Sequence, residues 1–300
     1  MSDPRVSPPR STTSRVVLLA AIALLGFAAN SLLCRLALVE GAIDPWSFLL
    51  VRFAAGAVVL TLLCGRKLGA APRARGAGTW LSALALVAYG VGFSFAYLQL
   101  GAGVGALILF SSVQVTMIGW GIRCGEQPGP RQWLGLALAL AGLVVLVRPG
   151  QSAPPLLAAA AMIAAGAAWG VYTLRGRGAA DAIAGPLATT AGNFVRSVPF
   201  VLALWLLCWS GQHWSARGVL WAVLSGALAS GLGYACWYAA VGHMSRTAAA
   251  IIQLAVPVLA GLGGVVLLNE AWTFRLALAT ALTIVGVTLA TLVPVRAPRP

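Results

Sequence analysis

Apolar residues run along this chain in blocks of about twenty, separated by short polar or glycine- and proline-bearing seams. The blocks fall at residues 16–38, 46–64, 79–99, 103–122 and 131–148, then at 154–174, 186–209, 217–241, 246–268 and 272–293. A helix needs roughly 20 mostly apolar residues to cross a hydrocarbon core about 30 Å thick. The pattern therefore predicts ten transmembrane helices and an all-α polytopic membrane protein. The seams at 99–103, 149–153 and 241–246 are very short. Residues 1–15, rich in Pro, Ser and Arg, are expected to be a disordered cytoplasmic terminus, and 294–300 a short tail. The run from Val16 to Leu33 exceeds a signal-peptide core, so it reads as a first span that is retained.

The blocks also repeat. Glu126, Arg131 and Gly142 recur as Glu270, Arg275 and Gly286 at a spacing of 144 residues, and Arg52 recurs as Arg196 at the same spacing. The chain thus divides into a unit at 16–148 and a second at 154–293, each with five predicted spans. An odd number of spans per unit inverts the second copy relative to the first, the usual scaffold of secondary transporters.

Composition agrees with a lipid solvent: 60% of residues are hydrophobic, 9% are charged and the mean hydropathy is +0.91. The net charge of +14 does not point to nucleic acid, because no loop is long enough for a binding domain and the charge is distributed by side. With both termini in the cytoplasm, 14 basic residues fall inside and four outside (Arg35, Arg148, Arg217, Arg275), with Arg52 and Arg196 within spans. That asymmetry fits the positive-inside rule. Lys67 and Arg177 share the cytoplasmic face in this topology. The five cysteines lack a CxxC pair and only His213 and His243 are present, so neither a disulfide framework nor a metal centre is expected, and no cofactor.

Several stretches carry a resemblance. They are Pro45-Trp46-Ser47-Phe48-Leu49-Leu50-Val51-Arg52-Phe53 with its partner at 186–196, Ala168-Trp169-Gly170-Val171-Tyr172, the segment 248–258, and Leu267-Leu268-Asn269-Glu270. In order and double occurrence they resemble the drug/metabolite transporter superfamily, in its EamA-type ten-span branch. Within it the chain is most similar to bacterial exporters of aromatic and other neutral amino acids. The resemblance implies a basket of ten helices around a central cavity that opens alternately to each side. It also implies a bacterial inner-membrane location and an amino-acid-like substrate; function as a monomer is a separate expectation. The chain departs from the family in having Phe27-Ala28 where Trp-Gly is common, and Gln114 where the second copy has Pro257.

Polar side chains inside a bilayer usually face the bundle interior. Asn30, Ser111, Gln114 and Gln253 fall near the middle of their spans and are candidates to line a substrate cavity; the competing role is helix–helix hydrogen bonding. Tyr89, Phe93 and Tyr97 form a stripe at i, i+4 and i+8, and Tyr234, Trp237 and Tyr238 form a second patch. Trp169 lies deep, whereas most other tryptophans sit near span ends in the interfacial belt. Aromatic walls with amides would suit a flat, amphipathic substrate; the alternative is packing.

Arg52 and Arg196 need a partner or a watery surface; they could capture a substrate carboxylate or bind helix-end carbonyls. Glu126 and Glu270 are expected to cap helix N-termini. Pro199 and Pro257 should kink their helices, with Pro257 a candidate hinge. All six acids map to termini or loops, which points to uniport over carboxylate-coupled antiport. No catalytic motif is present, so the expectation is a transporter and not an enzyme. Nucleotide sugars or drugs are the alternative substrates.

Overall fold

The computed structural model describes residues 10–68, 77–125, 129–147, 154–175, 185–209, 211–241, 252–253 and 255–291. Among them the chain forms ten helices: α1 (Arg10–Val39), α2 (Pro45–Leu68), α3 (Trp80–Ala96), α4 (Ala102–Arg123), α5 (Pro130–Val147), α6 (Leu156–Arg175), α7 (Pro186–Leu207), α8, α9 (Ala255–Leu268) and α10 (Phe274–Thr291). The eighth runs as α-helix over Ala216–Leu224, widens to π-helix over Ser225–Leu232 and returns to α-helix over Gly233–Val241. Six helices, in α1, α2, α4, α6, α7 and α8, are long and apolar enough to cross a membrane; α3, α5, α9 and α10 are apolar but shorter over the described residues. Among the described residues the one extended pairing is an isolated bridge between Ile43 and Trp214.

Local sequence sets the ends of these helices. Asp44 accepts hydrogen bonds from the backbone N–H groups of Trp46 and Ser47, both at 3.0 Å, and so caps α2. Thr79 caps α3 and Ser215 caps α8 through Ser82 N and Gly218 N. After α9, Asn269 takes the left-handed conformation (φ 53°), which the short Asn side chain tolerates. The chain then turns sharply enough for Glu270 N to donate back to Gly264 O at 3.0 Å, which satisfies a carbonyl of the last turn. At the start of the chain, residues 10–15, expected outside the first span, continue α1 instead. Residues 10–25 contain no Gly or Pro, so nothing in that stretch interrupts helical hydrogen bonding.

The packing has two-fold character. Helix α3 packs against α6 as α8 packs against α1, and α4 packs against α6 as α9 packs against α1. Helix α3 meets α7 as α8 meets α2, while α2 with α7, α4 with α9 and α5 with α10 pair each helix with its own counterpart. Exchanging the halves leaves this scheme unchanged, as two inverted five-helix units require. The repeated glycines follow from it. A Cβ on Gly142 would come within 2.8 Å of Ala279 O, and one on Gly286 within 2.5 Å of Ala139 N. The two glycines let α5 and α10 approach backbone to backbone, reciprocally.

Loops gather at two ends. At one end, the α1–α2 and α7–α8 connections meet: Asp44 accepts from His213 N at 3.1 Å and Ser215 N donates to Ala42 O at 2.8 Å. The α3–α4 turn and the α9–α10 loop meet there too, through Glu270. At the other end, the residues before α3 meet α7: Thr79 N donates to Asn193 Oδ1 at 2.8 Å, and Arg175 at the end of α6 donates to Ser82 Oγ at 3.2 Å.

Candidate functional site

A small cavity of about 30 Å³ lies between the halves. Phe27, Asn30 and Ser31 of α1 line it, with Tyr89 and Phe93 of α3, Leu109 and Phe110 of α4, and Trp169 of α6. The second half supplies Ala229 and Ser230 from the π-helical stretch, Tyr234 just beyond it, and Gln253. A volume of this size admits water, which needs about 10–15 Å³ of such space, but no metabolite. The site is contracted around its own aromatic rings.

Those rings form one connected group. Trp169 lies 4.9 Å from Tyr89, 5.3 Å from Tyr172 and 5.4 Å from Tyr234 between centroids, and Phe27 lies 5.7 Å from Tyr234. Tilted and edge-on contacts of this kind are the favoured geometry for aromatic pairs. A polar chain crosses the same space: Ser225 Oγ donates to Asn30 Oδ1 at 2.6 Å, and Asn30 Nδ2 donates to Tyr89 OH at 3.3 Å. Arg52 Nη2 also donates to Tyr89 OH, at 3.2 Å.

Of the residues singled out from the sequence, Asn30, Tyr89, Phe93, Trp169, Tyr234 and Gln253 meet at this cavity. Four others do not line it. Tyr97 is wholly buried beside the α4 N-terminus, where its hydroxyl donates to Ala102 O at 3.3 Å. Ser111 and Gln114 are buried within α4, which neighbours enclose on nearly all sides over its first half. Trp237 is half-buried against Phe27, 5.7 Å away. The side chain of Tyr238 lies outside the described residues. Pro257 lies within the described part of α9, and Pro199 lies inside α7. Phe27, Ser31 and Ser230, not among the cavity candidates named from the sequence, also line the cavity.

The two repeated arginines differ. Arg196 Nη1 donates to Ala77 O and, at 3.0 Å, to Gly192 O, and its guanidinium stands 5.8 Å from the Trp80 ring centre. It ties the segment before α3 to α7. Arg52 makes no such carbonyl bonds. It is 1% exposed, stacked near Phe93 (5.0 Å), Tyr89 (5.4 Å) and Phe53 (5.9 Å), and its Nε and Nη1 have no hydrogen-bond partner.

Glu270 does cap a helix N-terminus, though of α4 and not of α10, which follows it in the chain. Its Oε2 accepts from Ala102 N at 2.7 Å and its Oε1 from Arg35 Nε at 3.3 Å. Arg35 also donates to Tyr97 O at 2.9 Å and Leu98 O at 3.1 Å. The capping carboxylate belongs at that dipole end. Beside it lies a cavity of about 200 Å³ lined by Arg35, Gly101, Val104, Gly261, Glu270 and Trp272, among others. Glu126 lies outside the described residues. Among the described residues no group of His, Cys, Asp and Glu is placed to hold a metal ion.

Residues 14–148 and 156–292 each match the EamA-like transporter family. The chain is 49% identical over 276 residues to an uncharacterized protein of Pseudomonas aeruginosa, covering 92% of this chain and 94% of that one. It is 27% identical over 286 residues to a protein of Archaeoglobus fulgidus named as an uncharacterized transporter, covering 93% and 98% of the two chains. A protein of known crystal structure, 21% identical, superposes with a TM-score of 0.69 over 93% of this chain and 98% of its own, a likeness of fold.

Proposed function

Because the chain belongs to the EamA-like transporter family, we propose that it is a secondary carrier exporting small amphipathic metabolites, aromatic and other neutral amino acids foremost, by alternating access. The observation that carries this reading is the aromatic cavity itself. Tyr89, Phe93, Trp169 and Tyr234 offer flat apolar walls, while Asn30, Ser230 and Gln253 offer a few polar groups, the usual composition of a small-molecule site. Its walls come from both inverted halves, so a rocking of one half against the other opens it to either side in turn. The carrier spans a bacterial inner membrane ten times, keeps both termini in the cytoplasm and works as a monomer.

Transport is by uniport. Glu40, Asp44 and Glu270, the acids among the described residues, all sit at helix ends away from the cavity, so no carboxylate there is in place to relay a proton. The test is counterflow of labelled phenylalanine in proteoliposomes, with and without a pH gradient, challenged by other amino acids, amines and sugar nucleotides. Saturable counterflow competed by neutral amino acids and indifferent to the gradient is expected. Competition by sugar nucleotides or amines alone would replace the substrate class; accumulation driven by the gradient would replace uniport.

A further inference from the structure

The geometry points to Arg52 as a latent anchor for the substrate's carboxylate, held behind the aromatic wall of the cavity until the site opens. Its charge lies inside α2 with 1% exposure, where an uncompensated guanidinium is expensive. A guanidinium has five N–H donors. Tyr89 OH accepts one, from Nη2, while Nε and Nη1 have no partner at all. The rings of Phe53, Tyr89 and Phe93 offset part of the charge through their faces, but rings accept no directed hydrogen bond in the plane of the fork.

The chain supplies no counter-ion there among its described residues. Asp44 is committed to the α2 N-terminus and His213 N, Glu40 pairs with Arg217, and Glu270 pairs with Arg35 and Ala102 N. All three stand at one end of the bundle. The repeat provides an internal comparison: Arg196, the counterpart of Arg52, gives its Nη1 to the carbonyls of Ala77 and Gly192. A purely structural role is therefore available to this arginine in this fold, and Arg52 does not take it. The acceptor it is built for comes from outside.

The route is short. Tyr89 OH accepts from both Arg52 Nη2 and Asn30 Nδ2, and Asn30 and Tyr89 both line the cavity. When the halves part, the carboxylate displaces the Tyr89 hydroxyl and meets the guanidinium, the strong charge-assisted pairing that a planar fork favours. The side chain of the substrate stays among Trp169, Phe93 and Tyr234. Gly226 sets the depth: a Cβ there would collide with the backbone carbonyl of Arg52, so α8 holds α2 at backbone distance. This inference rests on the reading of the cavity as a site for amino-acid-like metabolites and adds that the recognised group is the acid.

The experiment measures ligand-induced thermal shifts of the full-length protein in nanodiscs with phenylalanine, phenylalaninamide, 3-phenylpropionate and phenethylamine. The two acids are expected to bind about tenfold or more tightly than the amide and the amine, the scale of one charge-assisted hydrogen bond. Arg52→Gln is expected to erase that preference and Arg52→Lys to keep part of it, having the charge without the fork. Should Arg52→Gln fail to fold, the wild-type ranking and Arg52→Lys decide. Equal binding of all four ligands, or of none, overturns the anchor. Phenylalanine flux in vesicles separates the two ideas: flux shared equally by the amide sinks the anchor and spares the carrier reading. Acid-selective binding without phenylalanine flux does the reverse.

Discussion

Replacing Glu270 by alanine removes one side chain that joins three segments distant in sequence. Its Oε2 takes the Ala102 N–H at 2.7 Å, one of the N–H groups at the start of α4 that no carbonyl of the helix can accept. Hydrogen bonds to charged groups contribute about 1.5–3 kcal/mol. The ion pair with Arg35 adds less. Both side chains are about one-fifth exposed (17% and 19%), and Arg35 retains the carbonyls of Tyr97 and Leu98 after the loss, so its charge is not stranded and the pair contributes about 0.2–1 kcal/mol. Together Glu270→Ala should destabilise by about 2–4 kcal/mol. Glu270→Gln keeps an acceptor for Ala102 N and should lose about half of that. The matched control is Glu40→Ala, whose partner Arg217 is 63% exposed; it should change stability by less than about 1 kcal/mol. Reversible SDS unfolding in mixed micelles, followed by far-UV circular dichroism, reads all three. If Glu270→Ala and Glu40→Ala unfold alike, the cap on α4 is not what holds the α9–α10 loop in place.

Gly142→Ala and Gly286→Ala each place a Cβ within 3 Å of facing backbone and should destabilise by about 1–3 kcal/mol. Gly119→Ala, which meets open space, should be neutral or slightly stabilising; equal melting of the three variants would refute the close α5–α10 approach. Trp169→Ala removes the ring that touches Tyr89, Tyr172 and Tyr234 and should raise the apparent KM for phenylalanine counterflow about tenfold, with Trp169→Phe close to wild type. An unchanged KM in the alanine variant would remove Trp169 from the site. Pro257→Ala should slow counterflow at unchanged protein levels if that proline is a hinge; full activity retires the idea. Cysteines introduced at Lys67 and Arg177 should react with an impermeant maleimide from the same side of the membrane, and opposite-side labelling would undo the topology.

The sequence revealed most of the helices because lipid enforces long apolar runs, and the five-residue register Glu126–Arg131 against Glu270–Arg275 exposed the duplication. Asn30, Tyr89, Trp169 and Gln253 were legible for the same reason: a polar or large aromatic group in mid-span needs an interior to face. Facing is harder to read when a helix is enclosed. Helix α4 is buried around most of its first half, so Ser111 and Gln114 can be interior without reaching the cavity, and no periodicity separates the two outcomes. The π-helical stretch escaped because the length of an apolar run does not show how the helix is wound; Ser225–Leu232 follows the i→i+5 pattern. Sequence symmetry also hid a difference. Arg52 and Arg196 occupy matching positions, and only their surroundings, aromatic for one and carbonyl for the other, set them apart. Glu270 shows the limit of local reasoning: its helix partner lies 168 residues upstream.

The π-helical turn exists in α8, while α3, its counterpart, is a regular α-helix. Were the halves identical, swapping their conformations would turn the outward-facing carrier into the inward-facing one at no change in energy. With the turn wound differently in one half, that degeneracy is lifted. Under the alternating access proposed above, the empty carrier is then expected to favour one compartment, with unequal forward and return strokes.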